Sequence, residues 1–176
     1  MAAEVPSGYR LREISPDDKV SGLSFGHADF LPLKIFLEKH SRRYHATNTA
    51  KSYVIVTEGN APKLGGYVTL VCSHIQIEAP ADVGEYSYED FPAVKIARLA
   101  VDKRYQGNDL GTQLVDFSIA VTQGRVMPHV GCRFLILDSK KQSIAFYEKR
   151  GFRLLDTEHN RNQANPVMFI DVGKMQ

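Results

Sequence analysis

Between Asp102 and Thr112 the chain sets two glycines, Gly107 and Gly111, in a short polar turn that joins a strand-like run to a helix-like one. A turn of that kind suits an anion. The first N–H groups of a helix have no carbonyl partner inside it, and the helix dipole adds positive potential at the same end. A glycine there lets a phosphate oxygen come close to the backbone. Lys103 and Arg104 add charge just upstream. The same spacing also arises where glycine serves only the geometry of the turn, so a phosphate site and a plain connector both stay open. Further on, Phe146-Tyr147-Glu148-Lys149-Arg150-Gly151-Phe152 holds a phenol between other rings. On residue type alone Tyr147 is a core aromatic.

The elements that must position these groups follow from periodicity. Residues 9–14 read as a short strand, and Ser15-Pro16-Asp17-Asp18 as a helix start. A helix is expected from about Asp29 to His45, with Leu33, Phe36 and Leu37 on one stripe and Pro32 in its first turn. Strands at 53–57 and 66–77 flank Gly59-Asn60-Ala61-Pro62 and should pair antiparallel. Residues 79–91 read as a loop. A strand at 94–101 precedes the polar turn, and after it Leu110, Leu114, Phe117 and Val121 are spaced for one buried helix face. A strand at 132–137, a short helix at 143–149 closed by Gly151, and a strand at 166–172 complete the order.

A chain of 176 residues with 43% hydrophobic side chains is long enough for one substantial core, so one domain spanning 1–176 is expected. No window reaches the roughly 20 apolar residues of a membrane helix, and residues 1–16 contain no long apolar stretch, which points to a soluble, cytoplasmic protein without membrane partners. Cys72 and Cys132 lie far apart in apolar runs and are expected to be buried free thiols. Neither they nor the six histidines form a metal pattern. The net charge of +2 is unevenly spread: Lys34, Lys39, Arg42, Arg43 and Lys51 face only Glu38 in residues 34–51, whereas residues 78–90 hold five acids and no base.

The segment 96–111 resembles the acyl-CoA-binding motif of the GNAT N-acetyltransferase superfamily: Gln or Arg, two residues, Gly, one residue, then Gly or Ala. Gln106 and Gly111 match its ends, and Leu99, Ala100 and Val101 match the strand before it. Ser143 to Phe152 resembles a second signature of the same family. The resemblance implies a mixed α+β fold whose central sheet is mixed, largely antiparallel and flanked by helices. It assigns acetyl-CoA, with no metal, to Leu99, Ala100, Val101, Arg104, Gln106, Gly107, Asn108, Asp109, Leu110, Gly111 and Thr112. Asp109 stands in place of the family's middle glycine. Unit charges 4 Å apart interact by about 4 kcal/mol at an effective dielectric near 20, so this carboxylate must turn outward and cap the helix if a diphosphate is to bind. Aspartate tolerates the left-handed backbone that such a turn needs.

The resemblance further implies that an amine attacks the thioester directly between the strands at 94–101 and 132–137. A backbone N–H at 99–101 polarises the carbonyl, and Tyr147 protonates the leaving thiolate as general acid. Where many members carry an asparagine ahead of the tyrosine, this chain has Lys140, Lys141 and Gln142. Glu85, Glu89, Asp90 and His74 are all conceivable bases, and an α-amine with a pKa near 8 needs none.

Within the superfamily, Phe25-Gly26, residues 31–37, Ser52-Tyr53-Val54, Gly66-Tyr67, 97–101 and Phe146-Tyr147 look like the GNAT toxins of bacterial toxin–antitoxin pairs, which acetylate the α-amine of aminoacyl-tRNA. That likeness implies an antitoxin partner, a homodimer, and a role for residues 34–51, Arg98, Lys103 and Arg104 against the tRNA backbone. A GNAT acting on a small or protein amine, and a non-catalytic CoA-binding module, remain as alternatives.

Overall fold

The computed structural model describes residues 6–175. Its strands are β1 (Tyr9–Glu13), β2 (Lys51–Thr57), β3 (Leu64–Gln76), β4 (Asp90–Val101), β5 (Phe134–Asp138), β6 (Arg153–Leu154) and β7 (Val167–Asp171). They hydrogen-bond in the order β1-β2-β3-β4-β5-β7-β6. The β1–β2, β2–β3, β5–β7 and β6–β7 pairs are antiparallel and β4–β5 is parallel. The mixed, largely antiparallel sheet expected from the sequence is therefore present. The chain packs as two compact units, one of residues up to 71 with 97–118, the other of 72–96 with 119 onward.

In the first unit β2 is buried on both faces, because Tyr53 and Ile55 point one way, Val54 and Val56 the other, and both sides are covered. One cluster holds Val54, Val56, Leu64, Tyr67 and Ala100 together with Leu23, Phe25, Phe36 and Leu37. Gly66 stands where no side chain fits, because a Cβ there would lie 2.9 Å from the Ala100 carbonyl oxygen. The helix expected over 29–45 is divided into a 3-10 turn at Ala28–Phe30, α1 (Leu31–Lys39) and α2 (Ser41–Ala46). At the break, the buried Ser41 hydroxyl donates to the Leu37 carbonyl at 2.6 Å, a bond that bends helices. Residues 15–18 form a turn instead of a helix start. Asp18 takes the Ser15 N–H at 2.7 Å and is forked by Arg12 at 2.6 and 2.8 Å, so its carboxylate is spent on closing the turn.

In the second unit the first half of β4 runs beside β5 in the register Ala93↔Phe134 to Ile96↔Leu137. Ile75, Phe91, Ala93, Phe134 and Ile136 form its cluster. The acidic loop is fastened down: Arg133 donates to Asp82 at 2.8 and 3.0 Å and to Asp171 at 2.9 Å, and Tyr86 stacks on Phe91 at 4.2 Å. Cys72 is exposed, contrary to the expected buried thiol, because the outer half of β3 is covered on one face only and residue 72 falls on the open one. Cys132 is half-buried ahead of β5, which starts at Phe134 rather than at residue 132. The polar run 156–165 contains α5 (Glu158–Arg161), organised by buried Asn160, which bonds the backbone of Leu155 and of Val167.

Helix α3 (Leu110–Val121) begins in one unit and ends in the other, and continues as a π-helical turn at Thr122–Val126. Its buried residues are Leu110, Leu114, Val115 and Ser118 rather than the expected stripe ending in Phe117 and Val121. Phe117 lies half-buried against Tyr53, ring centroids 4.7 Å apart. Among the described residues no helix is long and apolar enough to cross a membrane.

Candidate active site

The glycine turn is built around a carboxylate. Asp102, fully buried at the end of β4, accepts from the backbone N–H of Ser24 at 3.0 Å and of Arg104 at 2.9 Å, and from the Arg104 guanidinium at 2.8 and 3.1 Å. Burial would raise its pKa, but the Arg104 side chain and the two N–H groups outweigh that and hold it below the usual carboxylate range. Lys103 N–H then donates to the Ser24 carbonyl at 2.6 Å, and the Gln106 amide donates to the carbonyls of Val101 at 3.2 Å and Phe25 at 3.5 Å. The turn is thus strapped both to the strand it leaves and to the loop around residue 25.

Past the strap, the chain enters left-handed conformation twice, at Gly107 with φ 87° and at Asp109 with φ 59°. Asp109 is exposed, and its carbonyl accepts from Gln113 N–H at 3.1 Å, the mark of a helix N-cap. The N–H groups of Leu110, Gly111 and Thr112 therefore lie in the first turn, ahead of the helical ladder. The left-handed, outward aspartate at the helix start was expected from the sequence. Arg104 differs: its guanidinium is engaged by Asp102 and lies over the Tyr105 ring at 5.6 Å, so its charge toward a ligand is partly neutralised.

In the second unit, a 3-10 turn at Lys141–Ser143 leads into α4 (Ile144–Glu148), which Gly151 follows at φ 85°. Tyr147 is 8% exposed and lies edge-on to Phe146 at 5.0 Å and Phe152 at 5.8 Å. Burial in this aromatic setting pushes its phenol up to about 12. Such a group stays protonated across the physiological range and presents a donor to an acceptor that reaches it. His74, Glu85, Glu89 and Asp90, the conceivable bases, are all exposed in the same unit.

Of the residues singled out from the sequence, 99–112 lie in the first unit and Tyr147 in the second, and Asp102, the hub of the turn, was not among them. The signal was present, since an aspartate two residues before an arginine at a strand end can cap the following turn, yet only the packed loop at Ser24 shows what its second oxygen meets. Among the described residues no group of three or more His, Cys, Asp or Glu side chains is placed to hold a metal ion.

Residues 50–154 match the model of a family described as acetyltransferase (GNAT) domain. The chain is 27% identical over 157 residues to a tRNA-acetylating toxin of Mycobacterium tuberculosis, covering 86% of this chain and 89% of the relative. Among solved structures, a tyrosine-to-phenylalanine mutant of KacT superposes with a TM-score of 0.82 at 25% identity, over 96% of this chain and 97% of the other. AtaT complexed with acetyl-methionyl-tRNAfMet superposes at 0.81 with 21% identity, over 95% and 96%. A tyrosine-to-phenylalanine mutant of AtaT bound to acetyl-CoA and the C-terminus of the antitoxin AtaR gives 0.75 with 21% identity, over 96% of both chains.

Proposed function

Because the chain belongs to the acetyltransferase (GNAT) domain family, we propose that it moves the acetyl group of acetyl-CoA to the α-amine of an aminoacyl-tRNA, acting as one domain over 1–176. The observation that carries the donor side is the Gly107–Asp109 backbone, which opens the first turn of α3 to a diphosphate while the Asp109 carbonyl caps the helix. Leu99, Ala100 and Val101 supply the strand edge along which the thioester lies, and Arg104, Gln106, Asn108, Leu110, Gly111 and Thr112 complete the cradle. The acceptor rests on the tRNA-acetylating relative.

In this mechanism the neutral amine attacks the thioester carbon, and a backbone N–H of β4 stabilises the oxyanion. Tyr147 then donates to the sulfur as the carbon–sulfur bond breaks. A phenol near 12 is a weaker acid than an ordinary thiol near 8.5, so the proton moves only as negative charge builds on sulfur. The proton lost by the attacking nitrogen restores the phenol. The same reading includes an antitoxin partner, as in the AtaT–AtaR complex, a homodimer, and a cytoplasmic location, where charged tRNA is found.

The test is transfer of radiolabelled acetyl from acetyl-CoA to a total pool of charged tRNA, with uncharged tRNA as control and Tyr147→Phe alongside. Labelled aminoacyl-tRNA that depends on charging and on Tyr147 supports the reading. Label passing instead to polyamines or peptides would replace the acceptor, and acetyl-CoA binding without any transfer would leave a CoA-binding module.

A further inference from the structure

Arg104 is a cation of the glycine turn whose hydrogen-bonding edge is already spent. The two oxygens of Asp102 take its Nε at 2.8 Å and its Nη2 at 3.1 Å. Such a fork fixes the plane of the guanidinium, because neither group can turn without breaking a bond. The carboxylate side chain is 1% exposed and is itself held by the N–H groups of Ser24 and Arg104, so the anchor is firm. The ion pair leaves Arg104 with little net charge to offer a phosphate.

What remains is a flat surface. The guanidinium carbon lies over the Tyr105 ring, 5.6 Å from its centroid. Tyr105 is half-buried, with Tyr9 of β1 edge-on to it at 6.2 Å and Gly65 of β3 so close that a Cβ there would lie 3.6 Å from its Cδ2. The ring is thus backed by two strands of the same unit and in turn backs the guanidinium. The Arg104 side chain is 58% exposed, so the other face of that plane is open to solvent.

A guanidinium held by its edge and supported on one face is suited to a heteroaromatic ring on the other, where cation–π attraction and stacking act together. The position of the plane says which ring meets it. Arg104 stands just ahead of Gly107 and Asp109, whose left-handed backbone opens the first N–H groups of α3. In the proposed function those groups hold the diphosphate of acetyl-CoA, and the pantetheine leaves it toward Leu99, Ala100 and Val101. The adenosine leaves from the opposite end and carries the one aromatic ring of the donor, on the solvent side of the turn.

We propose that the open face of the Arg104 guanidinium stacks on the adenine of acetyl-CoA, with Asp102 as the positioning residue that holds the plane. This rests on the proposed function for the identity of the donor. It gives Arg104 a task that charge alone does not perform, since a lysine in its place supplies the charge without the plane.

The experiment is calorimetric titration of the native protein, Arg104→Lys and Arg104→Gln with three donors, with urea unfolding of each protein to show that the fold persists. The donors are acetyl-CoA, acetyl-dephospho-CoA, which keeps adenine but lacks the 3′-phosphate, and acetyl-4′-phosphopantetheine, which lacks adenine. Both variants are expected to bind acetyl-CoA about tenfold more weakly than the native protein. The same factor appears with acetyl-dephospho-CoA and is absent with acetyl-4′-phosphopantetheine. Native-like binding of acetyl-CoA by Arg104→Lys overturns the inference, because charge would then suffice. A loss that vanishes with acetyl-dephospho-CoA overturns it by assigning Arg104 to the 3′-phosphate. A loss of equal size with acetyl-4′-phosphopantetheine overturns it by showing a distorted turn in place of a lost stack. Failure of the native protein to bind acetyl-CoA at all overturns the proposed function itself, and this inference with it.

Discussion

The turn at 102–111 and the helix at 144–148 solve opposite problems. The turn is assembled from backbone, held by the buried Asp102 carboxylate, with its side chains directed inward as straps or outward to solvent. The helix offers one side-chain oxygen, set in rings that raise its pKa. A site made of backbone tolerates replacement of side chains so long as the dihedral angles survive, which is how aspartate at 109 stands where the family has glycine. A site made of one hydroxyl has no such tolerance.

Tyr147→Phe gives the largest effect and bears on the helix side of that contrast. We expect kcat to fall by about 10²–10⁴-fold while acetyl-CoA affinity in calorimetry stays within a few fold. Equal loss of both would mean that Tyr147 is a packing residue and the contrast false. With a phenol near 12, native activity should rise as the acceptor amine loses its proton and then hold level through pH 10; a decline beginning near pH 9 would mark a phenol that titrates much lower.

Asp102→Asn addresses the other side. The loss of charge-assisted bonds should cost about 2 kcal/mol in urea unfolding, the figure being held down because the Arg104 partner is mostly exposed. Since the folded pKa of Asp102 is depressed, its contribution is fully present above the unfolded value near 3.9 and is lost as pH falls through the folded value. The stability gap between native and Asn proteins should therefore close below about pH 4.

Gly107→Ala meets no neighbour within 4 Å, so its cost is conformational alone, about 1 kcal/mol for a φ of 87°. Acetyl-CoA binding should weaken severalfold with thermal unfolding lowered slightly. Smallest is Asp109→Gly, which keeps the left-handed backbone and removes an exposed carboxylate: acetyl-CoA should bind about threefold tighter at low salt and equally well at high salt. A loss of binding would show that the carboxylate itself takes part in the cradle.

Much of this was legible before any coordinates. The strand, polar turn and amphipathic helix around residue 106 follow from periodicity and glycine placement, and the left-handed aspartate follows from the motif spacing, because each depends on neighbours along the chain. The expected helix start at 15–18 failed because Asp18 is claimed by Arg12, six residues earlier, and the helix over 29–45 divides at His40, with φ −123°, beside the buried Ser41 bond to the Leu37 carbonyl. The stripe on α3 shifted because what counts as buried is set by what packs on the helix, and Cys72 lies open because its strand is covered on one face only.

By itself, then, the sequence determined the main strands, the glycine turn ahead of α3 and the short helix that carries Tyr147, all of which are carried by local spacing. The tertiary structure alone decided that Asp102 is the hub of that turn, that Gln106 faces inward as a strap, that Tyr147 sits in a ring-lined setting that raises its pKa, and that Tyr9 backs the ring beneath the Arg104 guanidinium. Each of these depends on groups brought together from distant parts of the chain, such as Ser24 and Asp102, and their burial and charge pairing have no signature in linear spacing.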